Sequence, residues 1–231
     1  MTLQQPDDGP RTLRTEAGEL PLREYRLRLA GREWSILHTH TMLTYGDEAH
    51  FFRELRNRVP YGVALWPAAI ALAHELAARA AELPGLRALE LGAGTGLPGI
   101  VAASLGARVV QTDRHEQALA ICARNGARNG VAGVERRRAD WNAWEDIERY
   151  PLIIGSDILY AEATHAALRH ILEVNLASGG RALLADPFRG PSIQFLEQLE
   201  AEGWAVSVST WSVGEEETPR PIGIFELAPP V

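Results

Sequence analysis

Residues Ala88 to Ile100 read Ala-Leu-Glu-Leu-Gly-Ala-Gly-Thr-Gly-Leu-Pro-Gly-Ile, and Asp113 closes the next apolar run, Ala107 to Thr112. This combination describes a nucleotide site built from backbone. An apolar strand runs into glycines that let the main chain approach a ligand, a helix then starts, and an acid at the next strand tip can take both hydroxyls of a ribose. Further carboxylates recur at later strand ends.

Two frames fit the glycines. Gly94, Gly96 and Gly99 satisfy the dinucleotide pattern G-x-G-x-x-G, with Asp113 at a plausible distance. Gly92, Gly94 and Gly96 instead give acid-x-G-x-G-x-G, with Glu90 at the strand end. In the dinucleotide frame Gly92 and Ala93 interrupt the strand too early, and Glu90 would sit beside a pyrophosphate, which is electrostatically poor. In the second frame the same carboxylate faces a ligand bearing an ammonium and a sulfonium. The expected cofactor is therefore S-adenosyl-L-methionine, with S-adenosyl-L-homocysteine as product. The bland alternative is a glycine-rich turn that binds nothing.

The elements that must position these residues alternate along the chain. Leu20 to His38 alternates apolar and polar residues around Ala30-Gly31, which predicts a hairpin. Glu48 to Asn57 reads as a short charged helix, and Pro67 to Glu82 as a longer one begun by proline. Strands are predicted at Leu86 to Leu91, Arg108 to Thr112, Val134 to Ala139, Leu152 to Ser156 and Arg181 to Ala185. Between and after them fall helices at Pro98 to Leu105, Glu116 to Arg128, Ala161 to Val174 and Ser192 to Glu202. This rhythm demands a parallel sheet covered on both faces. Trp204 to Val213 and Ile222 to Leu227 have only a loop between them, so they pair antiparallel.

The expected fold is α/β: a doubly wound, mostly parallel seven-stranded sheet with a C-terminal antiparallel hairpin. That ending is unusual for dinucleotide enzymes and decides the frame. Residues 1–60 are expected to form an N-terminal extension packed on the core, with a disordered start, and residues 61–231 the cofactor-binding domain.

Ligands of such sheets bind beyond the carboxyl ends of the strands. Those ends supply Glu90, Gly92, Gly94 and Gly96, then Asp113, then Asp140-Trp141, then Ser156-Asp157-Ile158-Leu159-Tyr160, and last Asp186-Pro187-Phe188-Arg189. Five acids at five successive strand ends are hard to ascribe to the fold alone. For any single one, a helix N-cap is the ordinary alternative, and Asp186 is the most open to it.

Composition excludes several classes. The chain has 231 residues, a formal charge of -7 and 46% hydrophobic content, as expected of a globular protein rather than a general nucleic-acid binder. All 23 basic residues are arginines, so the chain cannot methylate a lysine of its own. Cys122 is the single cysteine, which excludes an internal disulfide, and it reads as a small core residue. His38 and His40 lack further ligands at metal spacing, so no metal is expected. The polar start, Met1 to Pro10, is unlike a signal peptide, and the longest apolar stretch, Tyr61 to Leu83, contains His74, Glu75 and Arg79. A cytoplasmic location with no membrane partner is the expectation.

From about Gly62 onward the chain resembles the class I seven-strand S-adenosylmethionine-dependent methyltransferases, and within them the protein-lysine branch. That branch includes enzymes acting on the electron-transfer flavoprotein β subunit and on valosin-containing protein. The matching features are Leu65-Trp66-Pro67-Ala68-Ala69, Glu90 to Leu97, Asp113, Asp140-Trp141, and Asp157 with Tyr160. Asp186 to Arg189 matches the Asp-Pro-x-Arg segment of the flavoprotein-directed members. The glycine motif is shared by many methyltransferases; Asp-x-x-Tyr after the fourth strand is more specific. Thr39 to Pro60 has no match, and Ser156 stands where relatives often carry alanine.

The resemblance implies roles. Gly92, Ala93 and Gly94 would lie against the methionine part of the cofactor, with Glu90 and Gly96 completing the motif and Asp140 beside it. Asp113 would hold the ribose, Trp141 would stack beside adenine, Trp66 would border the cofactor, and Ser156 would lie near its methionine end. Asp157 and Tyr160 would receive the acceptor. It implies a lysine of a protein substrate, such as an electron-transfer flavoprotein-like subunit, and no nucleic acid. A small amine as acceptor, and a binding module without catalysis, stay open as alternatives. For Trp66 a core role, and for Tyr160 a structural hydroxyl, are the plainer readings.

Overall fold

The computed structural model describes residues 11–15, 18–51, 53, 61–214 and 219–230. The chain opens with two antiparallel hairpins, β1 (Thr12–Thr15) with β2 (Gly18–Pro21) and β3 (Arg23–Leu29) with β4 (Arg32–His38). The second turns at Ala30 and Gly31, whose φ angles of 52° and 72° are those a two-residue hairpin loop demands. A short helix, α1 (Tyr45–His50), follows, and Thr44 with Asp47 forms a reciprocal capping box at its start. It begins three residues before the predicted Glu48 and ends at His50; most of the remaining predicted helix lies outside the described residues. The expected disordered start, Met1 to Pro10, also lies outside them.

From α2 (Pro67–Ala78) onward strand and helix alternate: β5 (Arg87–Leu91), α3 (Leu97–Ser104), β6 (Arg108–Asp113), α4 (Glu116–Arg128), β7 (Glu135–Arg138), β8 (Tyr150–Ser156), α5 (His165–Asn175), β9 (Leu176–Asp186) and α6 (Gly190–Ala201). β10 (Ala205–Val213) and β11 (Arg220–Ala228) close the chain. The sheet order is β10-β11-β9-β8-β5-β6-β7, with β11 antiparallel to both neighbours and the rest parallel. The doubly wound seven-stranded sheet and its terminal hairpin are thus as the sequence predicts.

Most predicted bounds move by one to three residues; three elements differ more, among them α5, which starts at His165, four residues after the predicted Ala161 and behind a 3-10 turn at Glu162–Thr164. α2 stops at Ala78 and a separate 3-10 turn spans Ala80–Glu82, and β9 reaches back to Leu176 through Gly179-Gly180, with an irregular register at Tyr150 and Leu152.

The central strands are buried on both faces, and their side chains divide by the two-residue period of a strand. Ala88, Leu152 and Ile154 pack toward α2 and α3 with Trp34 and Ile36 of the hairpin. Leu89, Leu91 and Ile153 pack oppositely, with Leu168 and Ile171 of α5 and Phe195 and Leu199 of α6.

The N-terminal hairpin is joined to α4 by side chains acting as a strand. Asn129 exchanges hydrogen bonds with the Ser35 backbone (2.9 and 2.8 Å), and Asn125 does so with Leu37 (2.7 and 3.1 Å). The spacings match: four helical residues rise about 6 Å and two extended residues about 6.8 Å. Asn125, fully buried, also donates to the Thr95 carbonyl at 2.8 Å, tying the hairpin to the glycine loop. Asn125→Ala would strand three backbone groups, and an unfolding free energy lower by about 2–4 kcal/mol is expected in urea titration.

Candidate active site

The loop leaving β5 is shaped by contacts only glycine allows. Gly92 has φ 61°, and a Cβ there would stand 2.9 Å from Ile158 Cγ2 and 3.4 Å from Trp141. Gly99 answers to Glu90: its N–H donates to Glu90 Oε1 at 3.0 Å, and a Cβ would lie 2.2 Å from Oε2. Glu90 is therefore not in the cleft, contrary to its expected place facing the ligand. It lies buried beneath the loop, takes a second hydrogen bond from Gln111 Nε2 (2.7 Å), and burial pushes its carboxyl up to about 7.

This placement speaks to the frame by another route. A diphosphate would need the first N–H groups of α3. A carboxylate already takes one of them, and the third glycine of the dinucleotide pattern serves that carboxylate. Gly96, also expected against the ligand, caps α3 in the left-handed region (φ 79°) and faces Cys122 instead.

The other ten predicted residues come together. An open cleft at the carboxyl ends of β5, β6 and β8 is lined by Trp66, Gly92, Ala93, Gly94, Asp113, Asp140, Trp141, Ser156, Asp157 and Tyr160. Asp113 ends β6 with Oδ2 accepting from Gly94 N–H (3.1 Å) and Oδ1 from His115 N–H (2.9 Å); burial raises its pKa. Each oxygen retains acceptor capacity for a hydroxyl. Asp140 caps a 3-10 turn through Asn142 N–H (2.9 Å), so the N-cap role holds for it within the cleft wall. That turn carries Trp141 into the cleft, while Trp144 bonds Asn175 at 2.7 Å.

The acceptor side is built on aromatic and charged groups. Trp66 stacks on Tyr61 (4.2 Å, 18°) and Tyr61 on Tyr160 (5.0 Å, 27°), a three-ring wall. Asp157 has φ 54°, outside the range that non-glycine residues favour, and is 5% exposed. Its Oδ1 accepts from Arg189 Nη1 at 2.7 Å, and Arg189 also binds Asp186 (2.9 Å) and Glu48 of α1 (3.1 Å). Arg220 binds Glu48 too, so three carboxyl groups share two guanidiniums. Among the described residues Asp157 Oδ2 has no hydrogen-bond partner, a state that costs about 1–3 kcal/mol unless a donor arrives. Burial raises the Asp157 carboxyl to about 6, against the pull of Arg189.

Sequence reasoning missed Tyr61, Glu48 and Arg220 and gave Arg189 no contact. A tyrosine five residues before Trp66, and an arginine three after Asp186, were the available signals. Asp186 is caught between both readings: Oδ1 caps the Arg189 N–H (2.8 Å) and Oδ2 pairs with the guanidinium. Among the described residues, no cluster of three or more His, Cys, Asp or Glu could hold a metal, and no helix is long and apolar enough to cross a membrane.

A family model described as lysine methyltransferase matches residues 47–201. The chain is 41% identical over 136 residues to the protein N-lysine methyltransferase METTL21A of Danio rerio, covering 55% of this chain and 61% of that protein. It is 39% identical over 108 residues to the histone-arginine methyltransferase METTL23 of Mus musculus, covering 44% and 43%. The chain thus spans less than two thirds of the length of either relative. A solved ribosomal protein L11 methylase from Lactobacillus delbrueckii subsp. bulgaricus superposes with TM-score 0.55 at 22% identity, over 71% of this chain and 79% of that one. The glycopeptide N-methyltransferase MtfA, solved with sinefungin, gives 0.56 at 17% identity, over 68% and 92%. At such identities the structural likeness establishes the fold alone.

Proposed function

Because the chain belongs to the lysine methyltransferase family, we propose that it is an S-adenosylmethionine-dependent N-methyltransferase acting on a lysine side chain of a protein substrate. The observation that carries this reading is Asp157: a buried carboxylate with one oxygen unpaired, at the wall of a cleft whose other side suits a nucleoside. Among the described residues three carboxyl groups there share two guanidiniums, and a lysine ammonium would add a third cation beside them.

The residues present fit the cofactor. Asp113 would hold the ribose, Trp141 would lie beside adenine, and Gly92, Ala93 and Gly94 would line the methionine part, with Trp66 and Ser156 at its border and Asp140 in the wall. When bound, S-adenosylmethionine supplies a methyl group on a sulfonium, a good leaving group. Everything else falls to the chain. Asp157 draws the ammonium in and accepts a hydrogen bond from its nitrogen. Tyr160 flanks the nitrogen and, stacked on Tyr61, limits the directions it can take. A nitrogen that has given its proton to solvent would be held by these two side chains with its lone pair free to meet the donor; such positioning would contribute roughly 7–11 kcal/mol.

Residues 61–231 would form the catalytic domain and residues 1–60 an extension that reaches the site through Glu48. The Asp-Pro-x-Arg segment supports an electron-transfer flavoprotein-like subunit as a first substrate to try, and the charge of -7 supports a partner other than nucleic acid.

The test is incubation with labelled methyl donor and a cell extract. Label in protein lysines is the expected result; label only in small molecules would move the acceptor to a small amine. With any substrate so found, kcat/KM should fall as pH drops through about 6, where Asp157 takes up a proton and loses its attraction for a cation. An acid limb that persists unchanged in Asp157→Asn would assign it to another group.

A further inference from the structure

We propose that Phe188 is a specificity-determining residue: it docks an apolar side chain of the substrate, a few positions from the acceptor lysine. The inference rests on Asp157 being the acceptor-binding acid.

Four large hydrophobic residues are exposed among those described: Ile147, Tyr160, Phe188 and Val208. Two of them, Tyr160 (39%) and Phe188 (38%), follow the tips of the adjacent strands β8 and β9, where Asp157 lies. Phe188 is held there by its surroundings. Its φ of 60° is one that a bulky residue rarely adopts. The turn before it is closed by Arg189 N–H donating to Asp186 Oδ1 at 2.8 Å. Its ring meets Phe225 edge-on (5.6 Å, 78°), over Gly223, where a Cβ would come within 2.9 Å of Phe188 Cζ. Backbone, turn and glycine seat together present an aromatic ring to solvent, and such strain concentrates where a surface is used.

The topology says what that surface meets. The cofactor cleft belongs to β5, β6 and β8, and Phe188 does not line it. β9 and β11 lie on the other flank of β8. A substrate with its nitrogen at Asp157 and the cofactor on one flank has its main chain leaving over the other, past Phe188. The neighbouring charge is already taken, since Arg189 binds Asp157, Asp186 and Glu48. The platform is therefore apolar, and so is its occupant.

The experiment is fluorescence anisotropy of labelled lysine peptides binding the full chain loaded with S-adenosylhomocysteine. Residues flanking the lysine are set to leucine, alanine or aspartate. Phe188→Asn and Phe188→Gly are the variants, because both residues accept a left-handed backbone. Wild type should hold leucine-flanked peptides about tenfold tighter than alanine-flanked ones. Both variants should bring that ratio to about one while remaining folded by circular dichroism. No leucine preference in wild type, or one that survives in the variants, overturns the proposal. So does unfolding of both variants, which marks the ring as structural. Peptides with glutamine in place of lysine separate the two readings. Equal binding of those peptides denies the role of Asp157 and leaves the leucine preference to be judged by itself.

Discussion

Asp157→Asn lowers methyl transfer by about 10–100-fold and leaves S-adenosylmethionine binding within about a factor of two. The change is nearly isosteric, so the Asn carbonyl can still accept from Arg189, and the bonds of Arg189 to Asp186 and Glu48 stay. What goes is the charge on the unpaired oxygen, replaced by an amide that repels an ammonium. Donor binding is spared because the glycine loop, Asp113 and Trp141 lie elsewhere in the cleft. Initial rates with labelled donor, paired with calorimetry, check both halves. Full turnover in the variant would reduce Asp157 to a structural anion for Arg189.

Asp113→Ala should abolish measurable donor binding, a loss of at least about 100-fold, since each hydrogen bond to a charged group contributes about 1.5–3 kcal/mol and a ribose would take two. The loop suffers as well, because Gly94 and His115 lose the acceptor for their N–H groups. Asp113→Asn is the sharper variant. One end of its amide still accepts a loop N–H, while the other turns a donor toward the second N–H. It should therefore also fail to bind. Calorimetric titration decides it, with circular dichroism to confirm folding. Normal affinity in either variant would remove Asp113 from the ribose.

Most of the fold was legible because the central parallel strands are short apolar runs and helices such as α4 and α5 have one apolar face; β7, Glu-Arg-Arg-Arg at the sheet edge, is the charged exception. Glu116 to Arg128 emerges with its predicted bounds for that reason. Asp113 and Asp157 were legible because a strand tip fixes where its last residue points. Glu90 was not, since its environment depends on Gln111 in the next strand and Gly99 in the next helix, and sequence spacing does not distinguish a carboxylate above a loop from one beneath it. The Arg189 network was hidden for a similar reason. Its partner Glu48 stands 141 positions earlier, in a segment without periodic pattern. Tyr61 opens a 3-10 turn and gains its role only by stacking between Trp66 and the distant Tyr160.

The carboxamide of Asn125 grips the Leu37 backbone with one bond from each end and the Thr95 carbonyl with another. The leading arm and the ligand loop thus share a fastener. Because the arm contributes only main-chain groups to it, a chimera given a foreign arm would keep the fastener wherever that arm runs in the same register, whereas a foreign α4 lacking the two asparagines would lose it. The arm is exchangeable; the helix that holds it is not.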